Sequence, residues 1–283
     1  MSLIPTFSAH NGYTLDQVGF GTYLLNGQAG VDTMVSAAKA GYRLFDSAVN
    51  YENEGALGRA VARIVAEGVA TRDQLEIVSK LPGRHHTFNQ ALYTIEESLY
   101  RTSLDAYDLY LIHWPNPLED KYVEAWTALI EAQKRGYVKQ IGVCNFLPVH
   151  LDRLKEETGV VPVVNQVELH PYFPQLEQLA YDREHGIITQ AWSPLGRANK
   201  VLQEPVIVEI AQRHGKSVAQ VILRWATQLG AMPIPKSTLP ARQAENIALF
   251  DFELEPQEIA AISALGKPDG RSKAQDPSIH QEF

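Results

Sequence analysis

The chain alternates short apolar runs with longer segments of helical periodicity, and this alternation limits the fold more than any other feature. Eight apolar runs have the length and composition of strands. They lie at residues 17–21, 42–46, 75–80, 107–113, 139–143, 162–167, 187–192 and 232–235. Strands that alternate with helices form a parallel sheet, so an α/β fold is expected.

The intervening segments have the apolar spacing of amphipathic helices. They lie at residues 29–40, 53–66, 88–102, 121–135, 148–156, 174–184, 204–214 and 217–229. Eight strand–helix repeats in about 250 residues predict a single (β/α)8 TIM barrel. An open, doubly wound sheet is the alternative.

The two ends of the chain lie outside these repeats. The stretch His10-Asn11-Gly12-Tyr13 has the composition of a hairpin turn, which predicts an N-terminal β-hairpin that caps the barrel. The tail at about 266–283 contains Gly, Pro and Asp and is expected to be irregular. Residues 1–283 are therefore interpreted as one domain.

Charge and composition exclude several classes of protein. The formal net charge of −8 argues against a nucleic acid or an anionic membrane surface as the main partner. The single cysteine, Cys144, cannot form an intrachain disulfide, which fits a reducing compartment. The N-terminus has no signal-peptide pattern, and no apolar run approaches the ~18 residues of a membrane span. We expect a soluble, cytoplasmic protein.

Ionisable side chains stand at the ends of three consecutive predicted strands. These are Asp46, Lys80 and His113, and Tyr51 follows Asp46 by five residues. In (β/α)8 barrels the catalytic groups come from the C-terminal ends of the strands, which all lie at one face. The four side chains are therefore expected to meet there.

Together these four groups are suited to proton transfer. A tyrosine has a pKa of about 10, so it needs a cation nearby to stabilise its phenolate. Lys80 is the candidate cation and is expected to lower the pKa of Tyr51, while Asp46 would keep Lys80 charged. His113 could donate a hydrogen bond to a substrate oxygen. Taken singly, Asp46 and Lys80 could be a surface ion pair, and His113 could be structural.

Six sequence blocks resemble those of the aldo-keto reductase family, in the family's order. They lie at residues 41–54, 111–115, 141–146, 165–171, 192–196 and 234–237. The chain is most similar to the bacterial diketogluconate-reductase-type branch, because Trp192 stands where many members have Tyr and the segment 196–204 is short. The resemblance implies a monomeric (β/α)8 barrel that binds NADPH without a Rossmann domain. The absence of a Rossmann domain agrees with the sequence. Gly19-Phe20-Gly21 begins like the GxGxxG pattern of such domains, but Leu24 stands at the third glycine position.

The resemblance also implies a role for each matching residue. Tyr51 corresponds to the general acid, Lys80 and Asp46 to its activating pair, and His113 to the residue that orients the substrate. The implied substrate pocket comprises Tyr51, His113, Tyr23, Trp114 and the C-terminal tail. No metal is expected.

The implied cofactor contacts fall into two groups. Asn145 and Gln166 would bind the carboxamide, and Trp192 would stack on the nicotinamide. At the other end Lys236, Ser237 and Arg242 would hold the 2′-phosphate, and the two cations among them suit a phosphate. Glu245 and Asn246 would contact adenine. Further contacts are implied at Thr22, Ser193, Leu195 and Cys144. Cys144 replaces the family's usual Ser, which should weaken a carboxamide hydrogen bond.

The expected function is NADPH-dependent reduction of an aldehyde or ketone, with hydride transfer to carbon and protonation of oxygen by Tyr51. One alternative is a barrel lyase with Lys80 as the Schiff-base nucleophile, although that role needs a neutral amine. Another alternative is a non-enzymatic, cofactor-binding regulatory subunit. The intact set of Asp46, Tyr51, Lys80 and His113 argues against it.

Overall fold

The computed structural model describes residues 4–198, 200–268 and 270–283, and its main feature is a parallel eight-stranded sheet. A separate antiparallel hairpin, β1 (Thr6–Ser8) and β2 (Thr14–Asp16), precedes this sheet. The strands of the sheet are β3 (Phe20–Gly21), β4 (Leu44–Asp46), β5 (Glu76–Leu81), β6 (Tyr107–Ile112), β7 (Val138–Cys144), β8 (Val164–Glu168), β9 (Ile188–Trp192) and β10 (Ala231–Pro233).

The sheet follows the order of the chain and closes on itself. Each strand from β3 to β10 pairs in parallel with the next one along the chain. Closure comes from backbone hydrogen bonds of Gly19 N to Pro233 O (3.0 Å) and Gly21 N to Pro235 O (3.1 Å). The predicted (β/α)8 barrel is confirmed, and the open doubly wound sheet is wrong.

Helices pack around the outside of the barrel. They are α1 (Gly27–Ala40), α2 (Glu54–Ala66), α3 (Phe88–Thr102), α4 (Tyr122–Lys134), α5 (Pro148–Thr158), α6 (Leu176–Glu184), α7 (Pro205–His214), α8 (Val218–Leu229), α9 (Pro240–Ile247) and α10 (Pro256–Ser263). The first eight correspond to the predicted segments, whereas α9 and α10 follow the last strand and escaped prediction. Each has only eight residues, too few for a clear periodic pattern.

Two predicted helix starts differ in how they are capped. Ser217 Oγ accepts a hydrogen bond from Gln220 N, and Gln220 Oε1 accepts one from Ser217 N, which completes a capping box. Thr87 also precedes its helix, but its hydroxyl donates to the Gln90 side chain at 2.6 Å instead of capping a backbone N–H. Of these two helix starts, the same spacing produced a capping box at α8 and not at α3.

The N-terminal hairpin closes one end of the barrel, as predicted. Leu15 is buried among interior side chains such as Leu44 and Leu109. His10 N donates to Gly186 O at 2.7 Å, just before β9 begins, and Tyr13 Oη donates to Glu76 at the start of β5. The C-terminal ends of the strands are thus left as the open end. Among the described helices, none combines the length and the apolar character that a membrane span requires.

The helices α2 and α3 touch at a glycine, which yields a test of the packing. A Cβ at Gly58 would lie 2.1 Å from Thr102 O, whereas one at Gly55, on the same helix, would lie 3.7 Å from its nearest neighbour. Gly58→Ala should therefore lower the free energy of unfolding by about 1–3 kcal/mol in urea titrations, because the two backbones must separate. Gly55→Ala is the matched control and should be neutral or stabilising, since Ala favours a helix by about 1 kcal/mol. Equal unfolding midpoints for the two variants would contradict this packing.

Candidate active site

A buried ion pair lies at the open end of the barrel. Lys80, on β5, is fully buried, and its Nζ lies 2.7 Å from Asp46 Oδ2 at the end of β4. The same ammonium donates to Ser47 O at 2.7 Å. The third neighbour of the ammonium is Tyr51 Oη at 3.4 Å. Tyr51 belongs to the short 3-10 turn Val49–Tyr51, which follows β4. Adjacent parallel strands thus bring the three predicted groups together.

The surroundings keep Lys80 protonated. Burial alone lowers the pKa of Lys80, but Asp46 and Tyr51 outweigh it, so that its pKa lies above the usual value. This is the role expected for Asp46. The neutral amine that a Schiff-base nucleophile needs is disfavoured by the same contacts.

The pKa of Tyr51 differs from the sequence-based expectation. Burial raises the pKa of Tyr51 to about 12, although the charge of Lys80 acts in the opposite direction. The expected net lowering of the Tyr51 pKa is therefore wrong. Burial destabilises the phenolate by more than the Lys80 ammonium, 3.4 Å away, stabilises it. Tyr51 carries its proton at neutral pH, as a proton donor must.

His113 follows β6 directly and faces Tyr51. The two rings meet edge to face with 5.9 Å between their centroids. On its other side, His113 Nδ1 lies 2.7 Å from Oε1 of Glu282, a residue of the C-terminal tail. All four predicted side chains therefore lie together, with a carboxylate beside them that the sequence did not indicate.

Two amide side chains extend the site along the strand ends. Asn145, in a left-handed conformation after β7, donates to His113 O at 3.0 Å and accepts from Trp192 Nε1 at 2.8 Å, which fixes the indole ring. Gln166 donates to Asp46 Oδ1 and to Gln190 Oε1, at 2.8 and 3.0 Å. Both Asn145 and Gln166 line the cavity, where a carboxamide could meet them.

The other end of the site is built around the N-terminus of α9. Ser237 Oγ accepts a hydrogen bond from Leu239 N at 3.1 Å, just before the helix begins. Gln243, which is fully buried, donates to Ser237 O at 3.0 Å and accepts from Ser36 Oγ of α1 at 2.7 Å. Gln243 therefore ties this turn to a neighbouring helix and fixes its position.

Two exposed cations, Lys236 and Arg242, flank this turn. Neither forms an ion pair with any of the described residues. Glu245 Oε1 accepts a hydrogen bond from Ser217 Oγ, and Asn246, the next residue, is buried. Two such cations next to a helix N-terminus suit a phosphate.

One cavity of about 850 Å³ joins the two ends of the site. Almost all the predicted residues line it, namely Thr22, Tyr23, Asp46, Tyr51, His113, Trp114, Asn145, Gln166, Trp192, Ser193, Leu195, Lys236, Ser237, Arg242, Glu245 and Asn246. Lys80 does not line the cavity itself, but its ammonium contacts Tyr51, which does. Within the described part of the chain, no cluster of side chains could hold a metal ion.

Cys144 is the predicted contact that the structure places elsewhere. Its side chain is fully buried among interior side chains such as Leu111 and Val164, and it does not line the cavity. Burial raises the pKa of its thiol, so it remains a neutral, space-filling group. The expected weakening of a carboxamide contact by Cys144 therefore has no support in the geometry.

Sequence reasoning missed several residues of the cavity wall. These are Gly21, Asn50, Ser217, Val218, Ala219, Leu202, Gln275 and, most notably, Glu282. The tail was expected to contribute, and it does, through Lys273, Gln275 and Glu282. Its individual contacts had no sequence signal, because an irregular segment has no period that shows which side chains point inward.

Comparison with known proteins identifies the class. The model of the Aldo/keto reductase family matches residues 17–267. The chain is 48% identical to 2,5-diketo-D-gluconic acid reductase B of Corynebacterium sp. over 283 residues, which is all of both chains. It is 40% identical to the methylglyoxal reductase DkgA of Escherichia coli (strain K12), over 94% of each chain.

Solved structures agree. A crystal structure of a Bombyx mori aldo-keto reductase in complex with NADP superposes with a TM-score of 0.91 at 32% identity, and covers 100% of this chain and 99% of its own. An aldo/keto reductase of Brucella melitensis superposes with a TM-score of 0.86 at 40% identity, over 93% and 99%. The chain belongs to the aldo/keto reductase family, and the predicted enzyme class, a reductase of this family, is confirmed.

The ion pair at the centre of the site can be tested through stability. Lys80→Met should leave the Asp46 carboxylate buried without its cation and lower the free energy of unfolding by about 3–5 kcal/mol in chemical denaturation. The matched control is Lys39→Met, which breaks an exposed pair with Glu67 and should cost far less. Similar losses for the two variants would contradict a strongly coupled buried pair.

Proposed function

We propose that this protein reduces small aldehydes and ketones with NADPH, and that Tyr51 protonates the carbonyl oxygen. The observation that carries this proposal is the contact of Tyr51 Oη with the buried Lys80 ammonium, 3.4 Å away. The contact lies at the wall of a cavity that also holds two cations without ion-pair partners among the described residues. NADPH would supply a hydride to the carbonyl carbon, and the oxygen would take its proton from Tyr51.

Each residue has a role that follows from its place. Lys80 stabilises the phenolate that forms as the proton leaves, and Asp46 holds Lys80 in position. His113 packs beside Tyr51 and would contact the same oxygen, which would orient the substrate. Tyr23 packs edge to face on Tyr51 with 5.1 Å between centroids, and with Trp114 it gives the pocket an aromatic wall.

The cofactor would lie along the strand ends. Asn145 and Gln166 would bind the carboxamide, Trp192 would stack on the nicotinamide, and Thr22, Ser193 and Leu195 would complete this part of the cavity. Lys236, Ser237 and Arg242 would hold the 2′-phosphate, with Glu245 and Asn246 near adenine. The two exposed cations and the N-terminus of α9 support this orientation.

The first substrates to test are small dicarbonyl compounds. Two relatives are named as reductases of 2,5-diketo-D-gluconic acid and of methylglyoxal, and both substrates carry adjacent or nearby carbonyl groups.

We further propose that residues 1–283 act as one domain, as a cytoplasmic monomer that binds neither nucleic acid nor membranes. The net charge of −8 supports the last part of this proposal.

Removal of the Tyr51 hydroxyl should abolish the reaction. Tyr51→Phe should lower kcat by about 10²–10⁴-fold or more, since the carbonyl oxygen then lacks its proton donor. Steady-state oxidation of NADPH with methylglyoxal measures this, and fluorescence titration should give a nearly unchanged Kd for NADPH. The control is Tyr100→Phe, which removes an exposed hydroxyl on α3. Near-normal kcat in Tyr51→Phe would exclude the proposed acid.

The 2′-phosphate assignment predicts a selective loss of affinity. Arg242→Ala should raise the Kd for NADPH about tenfold, because it removes a charged contact with the phosphate, and should leave the Kd for NADH almost unchanged. Fluorescence titrations with both nucleotides measure the two constants. Arg59→Ala removes an exposed arginine outside the cavity and controls for net charge. Equal weakening of NADPH and NADH by Arg242→Ala would refute the assignment.

A further inference from the structure

The tail places a carboxylate in the wall of the active-site cavity. Glu282 Oε1 lies 2.7 Å from His113 Nδ1 and accepts a hydrogen bond from Asn50 Nδ2 at 2.8 Å. Oε2 accepts from Gly83 N at 2.9 Å. Two successive strand-end loops therefore donate hydrogen bonds to one carboxyl group, and the next loop places the His113 ring against it.

The backbone of Glu282 is held as closely as its side chain. Asn116, fully buried, accepts from Glu282 N at 2.9 Å and donates to Glu282 O at 2.8 Å. Gly83 leaves no spare room, because a Cβ there would lie 2.6 Å from Glu282 O. The tail is thus docked by a fitted set of contacts.

Glu282 adds a negative charge that water screens poorly. Burial alone would raise the pKa of Glu282, but the neighbouring His113, Gly83 N and Asn50 outweigh it, so its pKa lies below the usual value. Only 12% of its side chain is exposed. Lys273, also in the cavity wall, is exposed, so solvent and salt screen its charge more strongly.

The position of this charge bears on the choice of substrate. A substrate whose carbonyl oxygen reaches Tyr51 and His113 must place its other groups near the same part of the cavity. A carboxylate on that substrate would meet the like charge of Glu282, and Gly83 N and one N–H of Asn50 already donate to Glu282. A neutral substrate avoids both penalties.

We propose that Glu282 is a specificity-determining residue that favours uncharged carbonyl compounds over aldehyde and keto acids. This inference rests on the proposed carbonyl reductase function and narrows its substrate class. Repulsion of the wrong substrate, rather than extra attraction for the right one, is the physical basis of the selection.

Two aldehydes of nearly equal shape provide the test. 4-Formylbenzamide is neutral and 4-carboxybenzaldehyde is an anion at pH 7, so the ratio of their kcat/KM values isolates charge. The wild-type chain should prefer the amide, and Glu282→Gln should reduce that preference about tenfold. Glu156→Gln, which removes an exposed carboxylate on α5, should leave the ratio unchanged.

Binding of the two alcohol products, followed by tryptophan fluorescence, gives a second readout that needs no turnover. Glu282→Ala repeats the test if the Gln variant does not fold, and circular dichroism checks both. A preference that stays the same in both Glu282 variants, or a wild-type chain that favours the anion, would overturn the inference. If the chain reduces neither these two aldehydes nor methylglyoxal, the proposed function fails, and the product-binding ratio still decides the role of Glu282.

Discussion

The active site depends on the buried ion pair between Lys80 and Asp46. Burial of an ammonium ion is costly, and here the cost is offset by a carboxylate and a backbone carbonyl, each 2.7 Å from Nζ. The pair fixes a positive charge beside Tyr51, at the point where a phenolate would form. Gln166 holds the second oxygen of Asp46, so the same pair connects the proposed proton donor, Tyr51, to the region proposed for the nicotinamide.

The barrel makes this arrangement possible by its topology. Parallel strands in chain order bring Asp46, Lys80 and His113 side by side, although they are far apart in sequence. The N-terminal hairpin fills the opposite end of the barrel, and only the C-terminal ends remain open. The site is therefore built from strand-end loops, and the tail crosses those loops to reach His113.

The related sequences leave the substrate class open. One relative is named for a sugar acid and another for a neutral dicarbonyl. On our proposal, the charge of one tail residue favours one class over the other, because the tail and the proton donor share a cavity. The Glu282 carboxylate then favours the neutral class in this chain.

The sequence by itself determined the barrel, because period and strand length are local properties. It also indicated the proposed proton donor and the three residues around it, because strand ends converge in any such barrel. It also indicated most of the cavity wall through the family blocks. Only the tertiary structure decided the net pKa of Tyr51, since burial is a property of the whole fold. It likewise placed Cys144 in the barrel interior and Glu282 beside His113. These contacts join segments that are distant in sequence, and an irregular tail has no pattern from which its partners can be read.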